Sequence, residues 1–100
     1  MSYKCISVSE ATEIMQSKTA TLLDIRDEHS FQAGHIEHSI HISNQNVEEV
    51  VNGLDKEIPV IIYCYHGNSS KGAADYFDNL GFKNTYSVDG GYEVWKLLDQ

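Results

Sequence analysis

The chain alternates short apolar runs with segments in which apolar residues recur every three or four positions. The clearest apolar run is Val60–Tyr63, which is rich in β-branched residues and follows Pro59, as is typical of a buried strand. In the segment after it, Ala73, Phe77 and Leu80 fall on one face of a helix. The pattern therefore predicts a strand, a short polar loop and a helix in the second half of the chain.

The first third of the chain carries the same two kinds of pattern. Ser7 and Glu10 have the spacing of a capping box and predict the start of a helix. The buried face of that helix is predicted to consist of Val8, Ala11, Ile14 and Met15. Residues 19–25 form an apolar run that predicts a central strand. Asp27 then predicts the N-cap of a short helix that ends at Gly34.

Three further elements follow from the remaining pattern. Apolar and polar residues alternate over Ile36–Ile42, which predicts a strand near a sheet edge. Asn44 and Asn46 predict the cap of a helix over residues 47–54, and Thr85–Val88 predicts the last strand. A tight turn then leads into a final helix, whose apolar side is predicted to consist of Val94, Trp95 and Leu98.

Strands and helices that alternate at this pace predict βαβ units, and hence a parallel sheet with helices on both faces. The pattern provides four or five strands and about five helices, and the chain has 100 residues. That length suffices for one domain over residues 1–100, but it is too short for two. We therefore expect a single α/β domain.

The composition excludes several classes of partner and location. With 41% hydrophobic and 22% charged residues, the chain has the make-up of an ordinary globular protein. Its net charge of −8 argues against nucleic acid or an anionic membrane surface as a partner. No apolar run approaches the roughly 20 residues of a transmembrane helix, and residues 1–7 lack the apolar region of a signal peptide. We therefore expect a cytoplasmic protein.

The cysteines and histidines do not have the spacing of a metal site. The two cysteines, Cys5 and Cys64, form no CxxC pair, and neither a disulfide framework nor a zinc site is expected from them. His35, His38 and His41 are three residues apart, but the isoleucines between them indicate a loop leading into a strand rather than one helical face. The sequence therefore predicts no metal and no cofactor. Cys5 is interpreted as a structural residue.

Cys64 stands between the end of the predicted strand and the start of the predicted helix. Consecutive backbone N–H groups over residues 65–70 can form a nest that binds an anion, and Gly67 allows the loop to adopt a positive φ. Ser69 or Ser70 can add a hydroxyl donor, and one of the two is expected to cap the helix. A thiol at a helix N-terminus ionises near neutral pH without a separate general base. The pattern therefore predicts a reactive thiolate.

Three stretches of the chain resemble signatures of the rhodanese family, and most closely those of its small, single-domain bacterial thiosulfate sulfurtransferases. They are residues 23–26 with Phe31, Gly34 and residues 35–36; the loop of residues 64–72; and residues 89–95. The resemblance runs from about Ile6 to Trp95, which is nearly the whole chain. It implies a five-stranded parallel sheet with helices on both faces.

The resemblance also implies a ping-pong transfer of sulfur. Cys64 would attack the sulfane sulfur of thiosulfate, expel sulfite and hold the sulfur as a persulfide, which cyanide or a thiol then discharges. The thiol could belong to a thioredoxin-like protein. The residues that would bind the substrate are those of the loop and the first turn after it, namely Tyr65, His66, Gly67, Asn68, Ser69, Ser70 and Lys71.

For some residues at this site the sequence leaves two roles open, and for others it indicates one. Lys71 could attract an anion or be a solvated surface residue, and His66 could donate a hydrogen bond or be merely exposed. Arg26 and Asp24 are interpreted as a structural ion pair, and Trp95 as core packing.

Two alternative functions stay open. Cysteine phosphatases and arsenate reductases of the same fold use a Cys-x5-Arg loop, in which the arginine binds the phosphoryl oxygens. In this chain the corresponding position is Ser70, and Lys71 cannot supply a planar fork. The second alternative is an interaction module, or a carrier of persulfide sulfur for a protein partner.

Overall fold

The computed structural model describes residues 3–98, which form five parallel strands and five helices. The strands are β1 (Lys4–Ile6), β2 (Thr21–Asp24), β3 (Ile40–His41), β4 (Val60–Tyr63) and β5 (Thr85–Val88). The helices are α1 (Val8–Ser17), α2 (Glu28–Ala33), α3 (Val47–Asn52), α4 (Ser69–Asn79) and α5 (Gly91–Leu98). The strand order is β1-β5-β4-β2-β3, and the α/β fold predicted from the alternation is confirmed.

Strand β4 is the middle strand of the sheet, and all of its residues are buried. Ile61 and Tyr63 pack toward α1 and α5, whereas Val60 and Ile62 pack toward α3 and α4. Burial on both faces explains why this strand is apolar throughout, since neither face meets water.

Two helix starts were predicted correctly. Ser7 and Glu10 form the full capping box of α1: the Ser7 hydroxyl accepts from the Glu10 amide at 3.1 Å, and the Glu10 carboxylate accepts from the Ser7 amide at 2.9 Å. Asp27 caps α2 by accepting from the Ser30 amide at 3.0 Å. These signals lie within four residues of chain, so tertiary contacts do not override them.

The predicted strand over Ile36–Ile42 is mostly wrong, because only Ile40–His41 pairs with the sheet. The Ile36 amide donates to the buried Tyr63 hydroxyl at 3.1 Å rather than to a neighbouring strand. A turn closes from the Ser39 amide to the Ile36 carbonyl at 3.0 Å, and His38 has a φ of 73°. The prediction that this strand lies at a sheet edge is confirmed.

Three other expectations need correction. Asn46 is the N-cap residue of α3, but its side chain accepts from the Ser43 amide and donates to the His41 carbonyl instead of capping the helix. On α5 only Trp95 of the predicted apolar side is buried, and Val94 and Leu98 are exposed. The pattern did not identify β1, where two of three residues are exposed; Cys5 is one of them, contrary to its structural interpretation.

The connections from β2 and from β4 leave the sheet in opposite directions, toward β3 and toward β5. In open parallel sheets, the crevice at the carboxyl ends of two such strands is where ligands bind. The loops that meet there begin with Ile25 and Cys64. None of the helices within residues 3–98 is long and apolar enough to cross a membrane.

Candidate active site

The side chain of Cys64 lies at the floor of the loop that connects β4 to α4. Its Sγ accepts hydrogen bonds from the amides of Gly67 at 3.2 Å and of Ser70 at 3.3 Å, and the Ser70 Oγ lies 3.5 Å away. Only 3% of the residue is exposed. The loop is therefore a cradle of donors around one sulfur atom, as the sequence predicted.

The cradle makes the thiol more acidic. Burial by itself raises the pKa of Cys64, because it disfavours the charged thiolate. Hydrogen bonds from the Ser70 hydroxyl and from the amides of Ser70, Gly67 and His66 outweigh this effect and lower the pKa below its ordinary value. The thiolate is thus the form that the loop stabilises.

Ser70 acts through its hydroxyl and not as a helix cap, so the expected capping by Ser69 or Ser70 is wrong. Helix α4 begins at Ser69, its N-cap residue is Asn68, and that residue makes no side-chain capping bond. The buried Ser70 Oγ is 2.7 Å from the Oγ of Ser87 in β5. Because Ser87 can donate to Ser70, the Ser70 proton is free to point at the sulfur.

Ser87 is a site residue that the sequence reasoning missed. In the sequence it is marked only as a serine within the predicted strand Thr85–Val88, and its side chain is fully buried. A buried hydroxyl requires a partner, but the partner's identity follows only from the pairing of β5 with β4.

Removal of the Ser70 hydroxyl should make the Cys64 thiol less acidic. We expect the pH midpoint for alkylation of Cys64 in Ser70→Ala to move upward, because a donor to the thiolate is lost while burial persists. Alkylation falls as the pH drops through the pKa, so the variant should react more slowly at neutral pH. The control is Ser69→Ala, an exposed neighbour. Equal midpoints in the two variants would contradict this role.

Gly67 brings the cradle loop against the turn that follows β5. Its φ is +97°, and a Cβ there would lie 2.9 Å from the Gly90 nitrogen and 3.2 Å from the Val88 carbonyl oxygen. The predicted need for a glycine at this position is confirmed. It has two causes: the left-handed backbone and the close approach of a second loop.

The N-terminus of α5 holds the backbone around Cys64. The Tyr92 amide donates to the Cys64 carbonyl at 2.7 Å, and the Glu93 amide donates to the Tyr65 carbonyl at 3.2 Å. This approach requires Gly91, whose φ is +59° and whose Cβ would lie 2.5 Å from the Cys64 carbonyl oxygen. The tight turn before α5 is therefore part of the site.

Gly91→Ala should destabilise the protein by roughly 2–4 kcal/mol, since it combines a strained left-handed backbone with overpacking against Cys64 and Tyr65. The measurement is chemical denaturation. Gly72→Ala is the matched control, because a Cβ at Gly72 meets nothing within 4 Å. That change should stabilise α4 by about 0.5–1 kcal/mol. Similar losses in both variants would contradict the role of Gly91.

Arg26 lies beneath the loop as part of a buried ion pair, as predicted. Its guanidinium is 2.8 Å from the Asp24 carboxylate and donates to the Gly34 carbonyl at 2.6 Å. The ring of Tyr92 lies against it, with 3.9 Å between the ring centroid and Cζ. Burial lowers the pKa of Arg26, but Asp24 outweighs this and raises the pKa overall. The guanidinium is therefore charged and already occupied by Asp24, Gly34 and Tyr92.

The other predicted loop residues occupy exposed positions. The exposed phenol of Tyr65 reaches α2, where it bonds to Asp27 and to the Ser30 hydroxyl. Exposed positions are also occupied by His66, Asn68, Ser69 and Lys71. The contact from Tyr65 to α2 was not predicted, because it joins segments that are 38 residues apart.

The three histidines near the site have separate surroundings. His35 stacks on Phe31 with 3.8 Å between ring centroids, His41 contacts the Arg26 carbonyl at 2.6 Å, and His38 is exposed. Within residues 3–98, no group of three His, Cys, Asp or Glu side chains is arranged to hold a metal ion.

Comparisons with solved structures find proteins of the same fold. A rhodanese-like protein from Staphylococcus aureus has a TM-score of 0.80 at 24% identity, over 92% of this chain and 90% of that one. A rhodanese-related protein from Thermoplasma volcanium has a TM-score of 0.80 at 27% identity, over 96% and 93%. A Rhodopseudomonas palustris protein of unknown function, described as a possible tyrosine phosphatase, has a TM-score of 0.81 at 20% identity, over 97% and 82%.

The sequence profile of the rhodanese-like domain matches residues 7–98, which is nearly everything that the structure describes. The cradle around Cys64 and the turn that supports it both lie within the matched range. The chain therefore belongs to the rhodanese-like domain family.

Proposed function

We propose that this protein is a sulfurtransferase that takes the sulfane sulfur of thiosulfate onto Cys64 and passes it to cyanide or to a thiol. In the first step the thiolate attacks the outer sulfur of thiosulfate. The S–S bond of thiosulfate breaks, and sulfite leaves with the bonding pair. In the second step the acceptor attacks the outer sulfur of the persulfide, and Cys64 leaves as a thiolate. Neither step requires an oxidant or a reductant.

The observation that carries this proposal is the convergence of donors on one sulfur atom. The amides of Gly67 and Ser70, with the Ser70 hydroxyl, surround Sγ at 3.2–3.5 Å. The Cys64 thiolate is the nucleophile in the first step and the leaving group in the second. Such donors stabilise the thiolate in both steps. Negative charge on a persulfide would be favoured by the same N-terminus of α4.

Phosphatase or arsenate reductase chemistry is less well supported. Those reactions use an arginine whose planar fork binds the oxyanion. Arg26 is the sole arginine of the sequence, and it is buried in its ion pair with Asp24. Ser70 occupies the position six after Cys64 and contacts the sulfur instead. The likeness to the R. palustris protein, at 20% identity, extends to the fold alone.

The second candidate is a carrier that delivers persulfide sulfur to a protein, for example a thioredoxin-like one. It uses the same Cys64 chemistry and differs in its acceptor.

Lys71, exposed on the first turn of α4, would help attract an anionic donor to a protein of net charge −8.

The test is a steady-state assay in which thiosulfate and cyanide are varied together and thiocyanate is measured. We expect thiocyanate to form with parallel double-reciprocal plots, as a covalent relay requires. An aryl phosphate in the same buffer should not be hydrolysed. Turnover of the aryl phosphate with no thiocyanate would favour the phosphatase alternative and overturn the proposal.

A further inference from the structure

A groove of about 1000 Å³ lies beside the cradle, and we name it the side groove. Its walls come from the residues after β2 and β3, the start of α3 and the outer face of α4. Cys64 is not among its lining residues. The groove is therefore separate from the donors that hold the sulfur, and nothing in the proposed first step uses it.

The side groove opens on the same face of the sheet as the sulfur, and like the sulfur it lies at the carboxyl ends of the strands. The Ile25 amide donates to the Tyr63 carbonyl at 3.1 Å, which places Ile25 level with Cys64 on the neighbouring strand end. Strands in a sheet are about 4.8 Å apart. Ile25 and Ile42 pack on the α3–α4 side, and Cys64 Sγ points to Ser70 of α4. A bound chain could thus extend from the groove to the sulfur.

The lining of the side groove combines apolar, neutral polar and acidic side chains. The apolar ones include Ile42, Val47 and the exposed Tyr76, and residues 43–46 are neutral and polar. The exposed Asp27 and Glu28 form an acidic rim. Hydrogen bonds from Ser30 lower the pKa of Asp27, which keeps that carboxylate charged. Arg26 is also among the lining residues, but its guanidinium is buried in the ion pair with Asp24. The groove therefore repels an anion such as thiosulfate and suits a basic, partly apolar ligand.

The surface of α4 next to the groove carries no side chain at Gly72, near the first turn of the helix. Gly72 lies one turn before Tyr76 on the same helix face, and a Cβ at Gly72 would meet nothing within 4 Å. Neither packing nor a positive φ explains a glycine within this helix. Its effect is to leave an unobstructed surface beside the cradle loop.

We propose that the side groove binds the sulfur acceptor, a protein segment in extended conformation whose cysteine is flanked by apolar and basic residues. This assignment rests on the proposed function, because it names the acceptor class for the second step. The segment's thiolate attacks the outer sulfur of the Cys64 persulfide; the S–S bond breaks, Cys64 leaves as a thiolate, and the acceptor keeps the sulfur as its own persulfide.

The test compares two pentapeptides, each with a central cysteine between two leucines, one ending in lysines and the other in glutamates. Protein is loaded with thiosulfate, and loss of the added sulfur is followed by mass spectrometry. Each rate is divided by the rate of the same peptide with a small disulfide, which removes differences in thiol acidity. We expect the basic peptide to be about tenfold faster at low salt, with the ratio falling as salt screens the groove.

Two charge-reversal variants test whether the preference for the basic peptide arises at the side groove. Glu28→Lys, on the rim, should remove or invert the preference for the basic peptide. Glu57→Lys is the matched control. Glu57 is exposed and precedes β4, so it lies at the amino ends of the strands, opposite the site. Equal normalised rates for the two peptides, or equal effects of the two reversals, would overturn the assignment.

Discharge by cyanide distinguishes failure of the side-groove assignment from failure of the proposed function. If thiosulfate does not load the protein, or cyanide does not discharge it, the proposed function fails and the assignment fails with it. If cyanide discharges the loaded protein normally while the basic peptide has no advantage, only the assignment to the side groove is wrong.

Discussion

Replacement of Cys64 by serine is expected to abolish sulfur transfer, with a fall in turnover of roughly 10⁴-fold or more, as for other covalent nucleophiles. A serine hydroxyl is not ionised at neutral pH, and the donors of Gly67 and Ser70 that stabilise a thiolate cannot change that. The measurement is thiocyanate formation from thiosulfate and cyanide. The substitution is small and the cradle remains, so the folded structure should persist.

The control for this variant is Cys5→Ser. Cys5 is the other cysteine of the chain, and it is exposed on the edge strand β1, away from the cradle. Its replacement should leave turnover and stability within error of the parent protein. Residual transfer in Cys64→Ser that disappears in the double variant would show that Cys5 also carries sulfur, and would contradict a relay through Cys64 alone.

The second large effect is expected for Asp24→Asn, which should cost about 3–5 kcal/mol of stability. Asp24 is fully buried and accepts from the backbone amide and the guanidinium of Arg26. Its loss leaves a buried positive charge without a counter-ion, beneath the loop that carries Cys64. The free energy of unfolding, from denaturant titration, is the quantity to compare.

Two further variants make this result interpretable. Asp75→Asn changes an exposed carboxylate on α4 and should alter stability by less than about 0.5 kcal/mol. Replacement of both partners, Asp24→Leu with Arg26→Met, should recover part of the loss, because no buried charge is then left unpaired. A double variant that is less stable than Asp24→Asn would contradict an energetic coupling between the two residues.

The elements that the sequence predicted correctly are those whose signals are local. The capping box of Ser7 and Glu10, the Asp27 cap and the apolar run of β4 depend on neighbouring residues or on burial of a whole strand. The cradle was predictable for the same reason, since Cys64 and its donors lie within seven consecutive residues. A strand end, a glycine and a helix start suffice to specify it.

The features that were not predictable depend on contacts between distant segments. The strand expected over Ile36–Ile42 is shortened because the Ile36 amide bonds to the Tyr63 hydroxyl, 27 residues away. Ser87 joins the site through the pairing of β5, and Gly91 through the approach of α5 to the Cys64 carbonyl. Periodicity identifies strands and helices, but it does not say which side chains meet at the loops between them.

Cys64 is the residue proposed to carry the transferred sulfur. The most direct measurement is the intact mass of the protein after incubation with thiosulfate, followed by peptide mapping and by treatment with cyanide. We predict that the mass rises by one sulfur atom, that the added sulfur maps to the peptide containing Cys64, and that cyanide removes it. An unchanged mass in excess thiosulfate, or a sulfur that maps to Cys5, would contradict this role of Cys64.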